Sequence, residues 1–264
     1  MKEYYTAVES YYDFDAGDFD KRYWENLVLQ KMRQSFREEV KRHPFTTILE
    51  IGYGTGLDML HFAVTHPDAR VFGIDISAEM CKLAQDRVKA KGLLNVIPEK
   101  GSVEDIESLF PGQQFDMIYV FFGALNTVED LRKASLILQR LLLPGGIMVL
   151  TFVNKYYLAG MILEMMKLRF SNAFARLRKF WGGYSPVKKL PSRCYTPGQI
   201  TAAFSEMKLL RKRGYCIKHP AWFYHGLNQK LRRFSPMLWK FDSWLNHTPF
   251  WKFGEYTLFV FQKV

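Results

Sequence analysis

A glycine-spaced turn limits what this chain can fold into more than any other feature. An apolar run, Ile48-Leu49-Glu50-Ile51, leads into Gly52-Tyr53-Gly54-Thr55-Gly56, and a second apolar segment begins at Leu57. A short apolar run bounded by turn residues reads as a buried strand, 46–52, and the segment after the turn reads as a helix, 56–65. Three glycines at alternate positions let the backbone turn tightly and let a ligand approach it closely. The turn ends at a helix N-terminus, whose free N–H groups and dipole favour a carboxylate or phosphate. Asp75 stands at the end of the next apolar run, 70–76. A carboxylate there can accept hydrogen bonds from ribose hydroxyls. The ligand expected of such a loop carries a ribose and an anionic group.

The same rhythm continues to residue 152. Strands are predicted at 94–98, 115–121 and 147–152, and helices at 78–91 and 128–142. Ser77 N-caps the first of these helices and Gly92 closes it, while Pro144-Gly145-Gly146 terminates the second. An earlier helix is predicted over 22–42, where Trp24, Leu27, Val28, Met32, Phe36 and Val40 repeat at helical spacing and His43-Pro44 ends it. Strands that are apolar along their length and alternate with helices imply a parallel sheet covered on both faces. After residue 153 the pattern changes. Residues 156–181 read as one long helix, apolar first and then basic, and 182–192 as a Gly/Pro loop. A helix is predicted at 197–209, a strand at 214–219, an aromatic-rich segment at 222–253 and a last strand at 256–262. No internal repeat is visible.

Charge divides the 264-residue chain. Residues 1–150 hold 17 Lys/Arg against 22 Asp/Glu, whereas 151–264 hold 20 Lys/Arg against 4 Asp/Glu, a net of +16, with 24 of the 42 aromatic residues. A basic, aromatic-rich half attracts phosphates, nucleic acid or an anionic membrane surface, or is simply a solvated face. At 48% hydrophobic and 24% charged the chain can build a core, which excludes disorder. Cys81, Cys194 and Cys216 are scattered and odd in number, which fits reduced thiols and neither a disulfide framework nor a metal site. The start shows no secretory signal and no run reaches the roughly 18 apolar residues of a membrane span. The expected location is the cytoplasm, with peripheral membrane association as an extension of that reading.

Glu50 would repel a pyrophosphate but suits a cationic amino group, and the G-x-G-x-G spacing differs from the G-x-G-x-x-G of nicotinamide cofactors. With ILEIGYGTG (48–56), GIDIS (73–77), GSVEDI (101–106), FDMIYVFFGALNTV (115–128) and LLLPGGIMVL (141–150), in that order, the chain resembles the class I S-adenosylmethionine-dependent methyltransferases. The resemblance is strong over 45–152. It implies a Rossmann-like α/β fold: a seven-stranded, mostly parallel sheet with helices on both faces and helical cap insertions. The implied organisation is an N-terminal helical entry or lid segment at 1–44 and an S-adenosylmethionine-binding core at 45–153. Cap insertions follow at 154–192 and 220–253, with remaining core elements at 193–219 and 254–264.

The resemblance also implies roles. Gly52, Gly54 and Gly56 would pass under the methionine part of S-adenosylmethionine, with Glu50 near its amino group. Asp75 would hold the ribose, Ile76 and Met80 would lie beside the adenine, and Ser102 and Val103 would flank it from the other side. Phe121 and the following loop would lie beside the sulfonium and the acceptor. Tyr53 replaces the usual small residue, so its ring must point away from the cofactor or cover it. Val103 stands where many members carry an Asp, for which Glu104 or the backbone would substitute. In the N-terminal stretch Tyr11, Tyr12 and Tyr23 are candidates to cover the cofactor. The product would be S-adenosylhomocysteine, and no metal is implied.

Methyl transfer needs an aligned, dry acceptor more than a protein nucleophile, and a general base helps only for alcohols and phenols. Candidate bases are His219, His225, His247 and the cap tyrosines, with His225 preferred; Asn126 is the candidate to orient the acceptor. Val120-Phe121-Phe122-Gly123 replaces the (D/N)-P-P-(Y/F) loop of amino-directed nucleic-acid methyltransferases. That argues against adenine or cytosine amine methylation but leaves other RNA positions open; the basic, aromatic-rich second half makes a small hydrophobic acceptor the leading expectation, lipid-like, isoprenoid or aromatic, with an anionic head or an acyl carrier. An RNA methyltransferase and a non-catalytic cofactor-binding subunit are the alternatives. The 156–181 helix is read as a cap over a greasy pocket, with a membrane-surface helix as the competing reading.

Overall fold

The computed structural model describes residues 2–185 and 188–264; residues 186–187 of the predicted 182–192 loop lie outside them. Seven strands form one sheet: β1 (Thr47–Ile51), β2 (Arg70–Asp75), β3 (Val96–Lys100), β4 (Phe115–Val120), β5 (Leu142–Val153), β6 (Lys208–Tyr215) and β7 (Tyr256–Gln262). Their order is β3-β2-β1-β4-β5-β7-β6. β1 to β5 pair in parallel, and β7 runs antiparallel between β5 and β6. The order reverses between β1 and β4, and ligands of open α/β sheets bind at such a switch point beyond the strand C-termini.

Alternate side chains of each strand serve opposite faces, which gives the sheet two cores. Leu49, Ile118 and Leu150 pack on one face beneath α6 (Leu131–Leu141) and α9 (Pro197–Ala203). Ile48, Val71, Met117 and Val149 pack on the other beneath α2 (Leu27–Val40), α3 (Leu57–Thr65) and α4 (Ala78–Ala90).

Four predicted elements are corrected. The helix expected at 22–42 is two helices. α1 runs over Lys2–Trp24, and α2 starts where the Asn26 side chain accepts from the Val28 and Leu29 N–H groups. That cap satisfies N–H groups that otherwise lack partners and so sets the break. The helix expected at 156–181 ends early. α7 (Leu158–Met166) stops before Leu168, whose φ is 57°, and only the short α8 (Phe170–Ala173) and a 3-10 turn at Ala175–Leu177 follow. The 197–209 helix stops at Ala203. The sixth strand lies at 208–215 and not at 214–219, because KLLRKRGY pairs with β7 as an exposed, charged sheet edge. Two short helices, α5 (Ile106–Leu109) and α10 (His225–Lys230), and the longer α11 (Ser235–Leu245) complete the elements used below.

Candidate functional site

A cavity of about 140 Å³ lies under α1 at the switch point. Its floor is the glycine loop. Gly52, Gly54 and Gly56 have φ of 71°, 58° and 80°, the left-handed region that side chains disfavour. A Cβ on Gly52 would stand 2.4 Å from the Ala124 side chain, so the loop and the segment after β4 touch only because glycine is there. Asp75 organises the loop, as its carboxylate accepts from Gly54 N–H at 2.8 Å and Ser77 N–H at 2.9 Å. Burial pushes the Asp75 carboxyl up to about 6, against the lowering effect of these N–H groups. Each carboxylate oxygen keeps a lone pair for a further donor.

α1 closes the cavity. The Phe19 ring lies 3.4 Å from where a Gly54 Cβ would be, and Tyr5, Val8 and Tyr12 also line the space. Polar contacts hold the helix down. Asp13 accepts from Ser77 Oγ at 2.6 Å at the N-terminus of α4. Asp20 accepts from Thr55 Oγ1 at 2.6 Å and pairs with Arg87, Glu9 pairs with Lys100 at 2.6 Å, and Tyr5 donates to Glu104 at 2.9 Å. With the helix down, the cavity is smaller than the roughly 300–1,000 Å³ of ligand pockets, so a ligand of nucleoside size requires α1 to shift.

The predicted residues divide cleanly. Tyr12, Gly52, Gly54, Asp75, Ile76, Met80, Ser102, Val103 and Phe121 line the cavity. Glu50, Tyr53, Gly56 and Tyr23 do not. Glu50 is buried on the opposite face of the sheet and accepts from Tyr119 Oη at 2.7 Å. Burial, reinforced by nearby Asp58, pushes its carboxyl well above the carboxylate range, while Arg33 and Arg37, both paired with Asp58, oppose the shift. Tyr53 points away from the cavity, donating to the Glu99 carbonyl at 3.0 Å and packing beneath Gly73. Gly56 starts α3, and Tyr23 lies against Arg33 and Trp24.

The two candidate catalytic residues stand elsewhere. Asn126 is buried with its amide fully engaged. It donates to the Val153 and Arg193 carbonyls at 3.1 and 2.7 Å and accepts from Val153 N–H at 2.9 Å. It therefore ties the loop after β4 to the cap, with both amide N–H groups spent on protein carbonyls. His225 is exposed at the start of α10, away from the cavity lining. His219 is buried between the Pro220 carbonyl, Ser235 Oγ and the Trp239 ring, and His247 is exposed.

Sequence reasoning missed Tyr5, Val8 and Phe19, whereas Phe122, Ala124 and Thr127 are the members of the expected loop after Phe121 that reach the cavity. Phe122 has a φ of 52°, strained for an aromatic residue, and its ring packs against Phe36, Tyr256 and the Arg33 guanidinium. Tyr256 begins a buried polar network beneath the cap. Tyr184 donates to Glu255 at 2.7 Å and lies 3.2 Å from Tyr256 Oη, and Arg176 pairs with Glu255 at 3.4 Å. A second, larger concavity of about 610 Å³ is an open groove of mixed charge near Glu129, Arg132 and Arg193, and no residue of the glycine loop lines it.

Comparison with known proteins agrees with this geometry. Residues 48–146 match a methyltransferase-domain family. Residues 48–146 thus form a methyltransferase domain. It is 31% identical over 184 residues to an uncharacterised protein of Methanocaldococcus jannaschii, covering 69% of this chain and 65% of that protein. It is 36% identical over 83 residues to a demethylmenaquinone methyltransferase of Geobacillus stearothermophilus, covering 31% of this chain and 34% of that enzyme. The matches thus span between a third and two thirds of these curated relatives. A crystal structure of an S-adenosylmethionine-dependent methyltransferase from Mesorhizobium loti shares the fold, with a TM-score of 0.56, 18% identity and coverage of 87% of this chain and 96% of that one.

Proposed function

We propose that this methyltransferase transfers a methyl group from S-adenosylmethionine to a small, mainly apolar acceptor held between the cavity and the cap. The observation that carries the reading is the pairing of Asp75 with the left-handed Gly52/Gly54 turn at the switch point, under an aromatic lid. The donor set fits the cofactor: a glycine cradle that a Cβ would fill, and a buried carboxylate with lone pairs to spare. Asp75, already fixed by two N–H groups, would accept from the ribose hydroxyls. Ile76, Met80, Ser102 and Val103 would sandwich the adenine. Phe121 and Phe122 would exclude water where the acceptor meets the donor. S-adenosylmethionine supplies an electrophilic methyl on a sulfonium, so these residues need only align and desolvate the acceptor. No histidine lines the cavity among the described residues; Thr127 lines it beside Phe121 and Phe122, and the Tyr256 end of the buried network packs behind Phe122.

An apolar acceptor is supported by the aromatic wall of the site and by the local similarity to demethylmenaquinone methyltransferase. Its test is incubation of the protein with methyl-labelled S-adenosylmethionine and cell extract, followed by separation into organic, small aqueous and macromolecular phases. Label in the organic phase is expected. Label that RNase releases from the macromolecular phase would replace this acceptor class with RNA.

A further inference from the structure

We infer that the cap docks onto an anionic lipid bilayer through two outward-facing apolar stripes. Of the 22 large apolar side chains exposed among the described residues, 16 lie after residue 150. They are not scattered. α7 is apolar at eight of its nine positions, yet only Gly160 is buried. Its anchoring side is Tyr157, Gly160 and Glu164: Tyr157 Oη accepts from Ala221 N–H, and Glu164 hydrogen-bonds Tyr224. Leu158, Ile162 and Met166 repeat every four residues on the opposite side, 41%, 45% and 77% exposed. α11 does the same. Ser235 and Trp239 hold it to His219, and Asp242 and Leu245 are buried, whereas Phe234, Met237, Phe241 and Trp244 form a separate exposed stripe. Both helices thus rest on the 219–224 segment and turn apolar surface to solvent.

Charge identifies the occupant. Exposed Lys167 and Arg169 flank the first stripe, and exposed Arg232, Arg233 and Lys240 flank the second. The few acidic groups of this half are taken up internally. Asp242 accepts from the Ile217, Lys218 and His219 N–H groups, Glu255 is buried against Arg176, and Glu164 pairs with Lys167. Glu206, the remaining one, pairs with Arg132 outside the cap. Lys167 apart, these cations have no acidic partner among the described residues, and apolar side chains rimmed by such cations are the pattern of helices that lie in an anionic bilayer interface. RNA fits less well, because the aliphatic side chains of the α7 stripe offer bases nothing to stack on. No helix of the described residues is long and apolar enough to cross a membrane, so the contact is with the surface. The inference stands apart from the methyl-transfer reading and is tested without it.

The test is flotation of the full chain with phosphatidylcholine vesicles, with and without phosphatidylglycerol. Wild type floats with the anionic vesicles, less so as salt rises, and poorly with neutral ones. The double variants Ile162→Asp/Met166→Asp and Phe241→Asp/Trp244→Asp lower the partition coefficient by about tenfold or more per side chain. Arg232→Ser/Arg233→Ser lowers it by about fivefold per charge. All six positions are exposed, so melting temperatures close to wild type are expected. Absence of flotation, or flotation unchanged in all three variants, would overturn the inference. So would a dimer that the aspartate variants dissolve, or RNA binding that they abolish, since either would assign the stripes to another partner.

Discussion

Replacing Asp75 by asparagine separates binding from stability. The carboxylate accepts from Gly54 N–H and Ser77 N–H within a buried site. Its ordinary value near 3.8 is raised to about 6, chiefly by desolvation. A rise of that size corresponds to about 3 kcal/mol by which the folded state disfavours the charged form at neutral pH. Asparagine removes that cost but can accept only at its single carbonyl oxygen, leaving one buried N–H short of a partner at about 1–3 kcal/mol. The two effects offset, so the melting temperature at pH 7 stays close to wild type. The pH dependence gives the sign. Because the folded value is raised, the wild-type contribution is full below about pH 4 and lost as pH rises through about 6. Asp75→Asn should therefore compare better with wild type at pH 7 than at pH 4. Binding behaves differently. Ribose hydroxyls donate to a charged acceptor at about 1.5–3 kcal/mol each and to a neutral one at about 0.5–1.5. S-adenosylmethionine affinity should fall at least tenfold, read by titration calorimetry beside thermal unfolding. Wild-type affinity should also weaken as pH drops below about 6, since the hydroxyls favour the ionised form. Unchanged affinity in Asp75→Asn would refute the assignment of this carboxylate to the ribose.

Other perturbations report on other parts of the site. Gly54→Val places a β-branched residue at a φ of 58° beneath the Phe19 ring and should abolish cofactor binding while far-ultraviolet circular dichroism stays native. Asp20→Ala removes the bonds from α1 to Thr55 and Arg87 and should speed cofactor dissociation about fivefold in stopped flow; an unchanged rate would mean α1 does not gate entry. Asn126→Ala leaves the buried Val153 N–H unpaired and should cost roughly 1–3 kcal/mol in chemical denaturation; a normal melting curve with lost turnover would return Asn126 to a catalytic role. His225→Ala should leave turnover unchanged, and its loss would make this exposed histidine catalytic.

The parallel core and its glycine loop were legible because their signals are local. Apolar runs, Ser77, Gly92 and Gly52-Tyr53-Gly54 each act within a few residues, and the structure places β1, β2 and β4 within a residue or two of expectation. What failed depended on distant partners. β6 is a charged edge whose strand identity comes from pairing with β7, so the predicted segment slid toward the more apolar YCI. The break in the 156–181 helix sits at Leu168, a residue with no intrinsic reason to adopt a positive φ. Glu50 and Asn126 have the right chemistry beside the site, but strand alternation and the Val153 contact turn them into the protein interior. α1 was legible only in part: the resemblance implied a helical segment and singled out Tyr12, but not the face that Tyr12 shares. Tyr5, Val8, Tyr12 and Phe19 fall on one helical face, masked by Gly17 and four aspartates that lower helix propensity.

Hydrogen–deuterium exchange with and without S-adenosylmethionine tests the central claim most directly, because it locates the bound cofactor on the chain. The account predicts slower exchange in α1, at 52–56, at 75–80 and at 101–103, with no change in the open groove at 129–133 and 193–203. Protection confined to that groove, or absent everywhere at saturating cofactor, would contradict it.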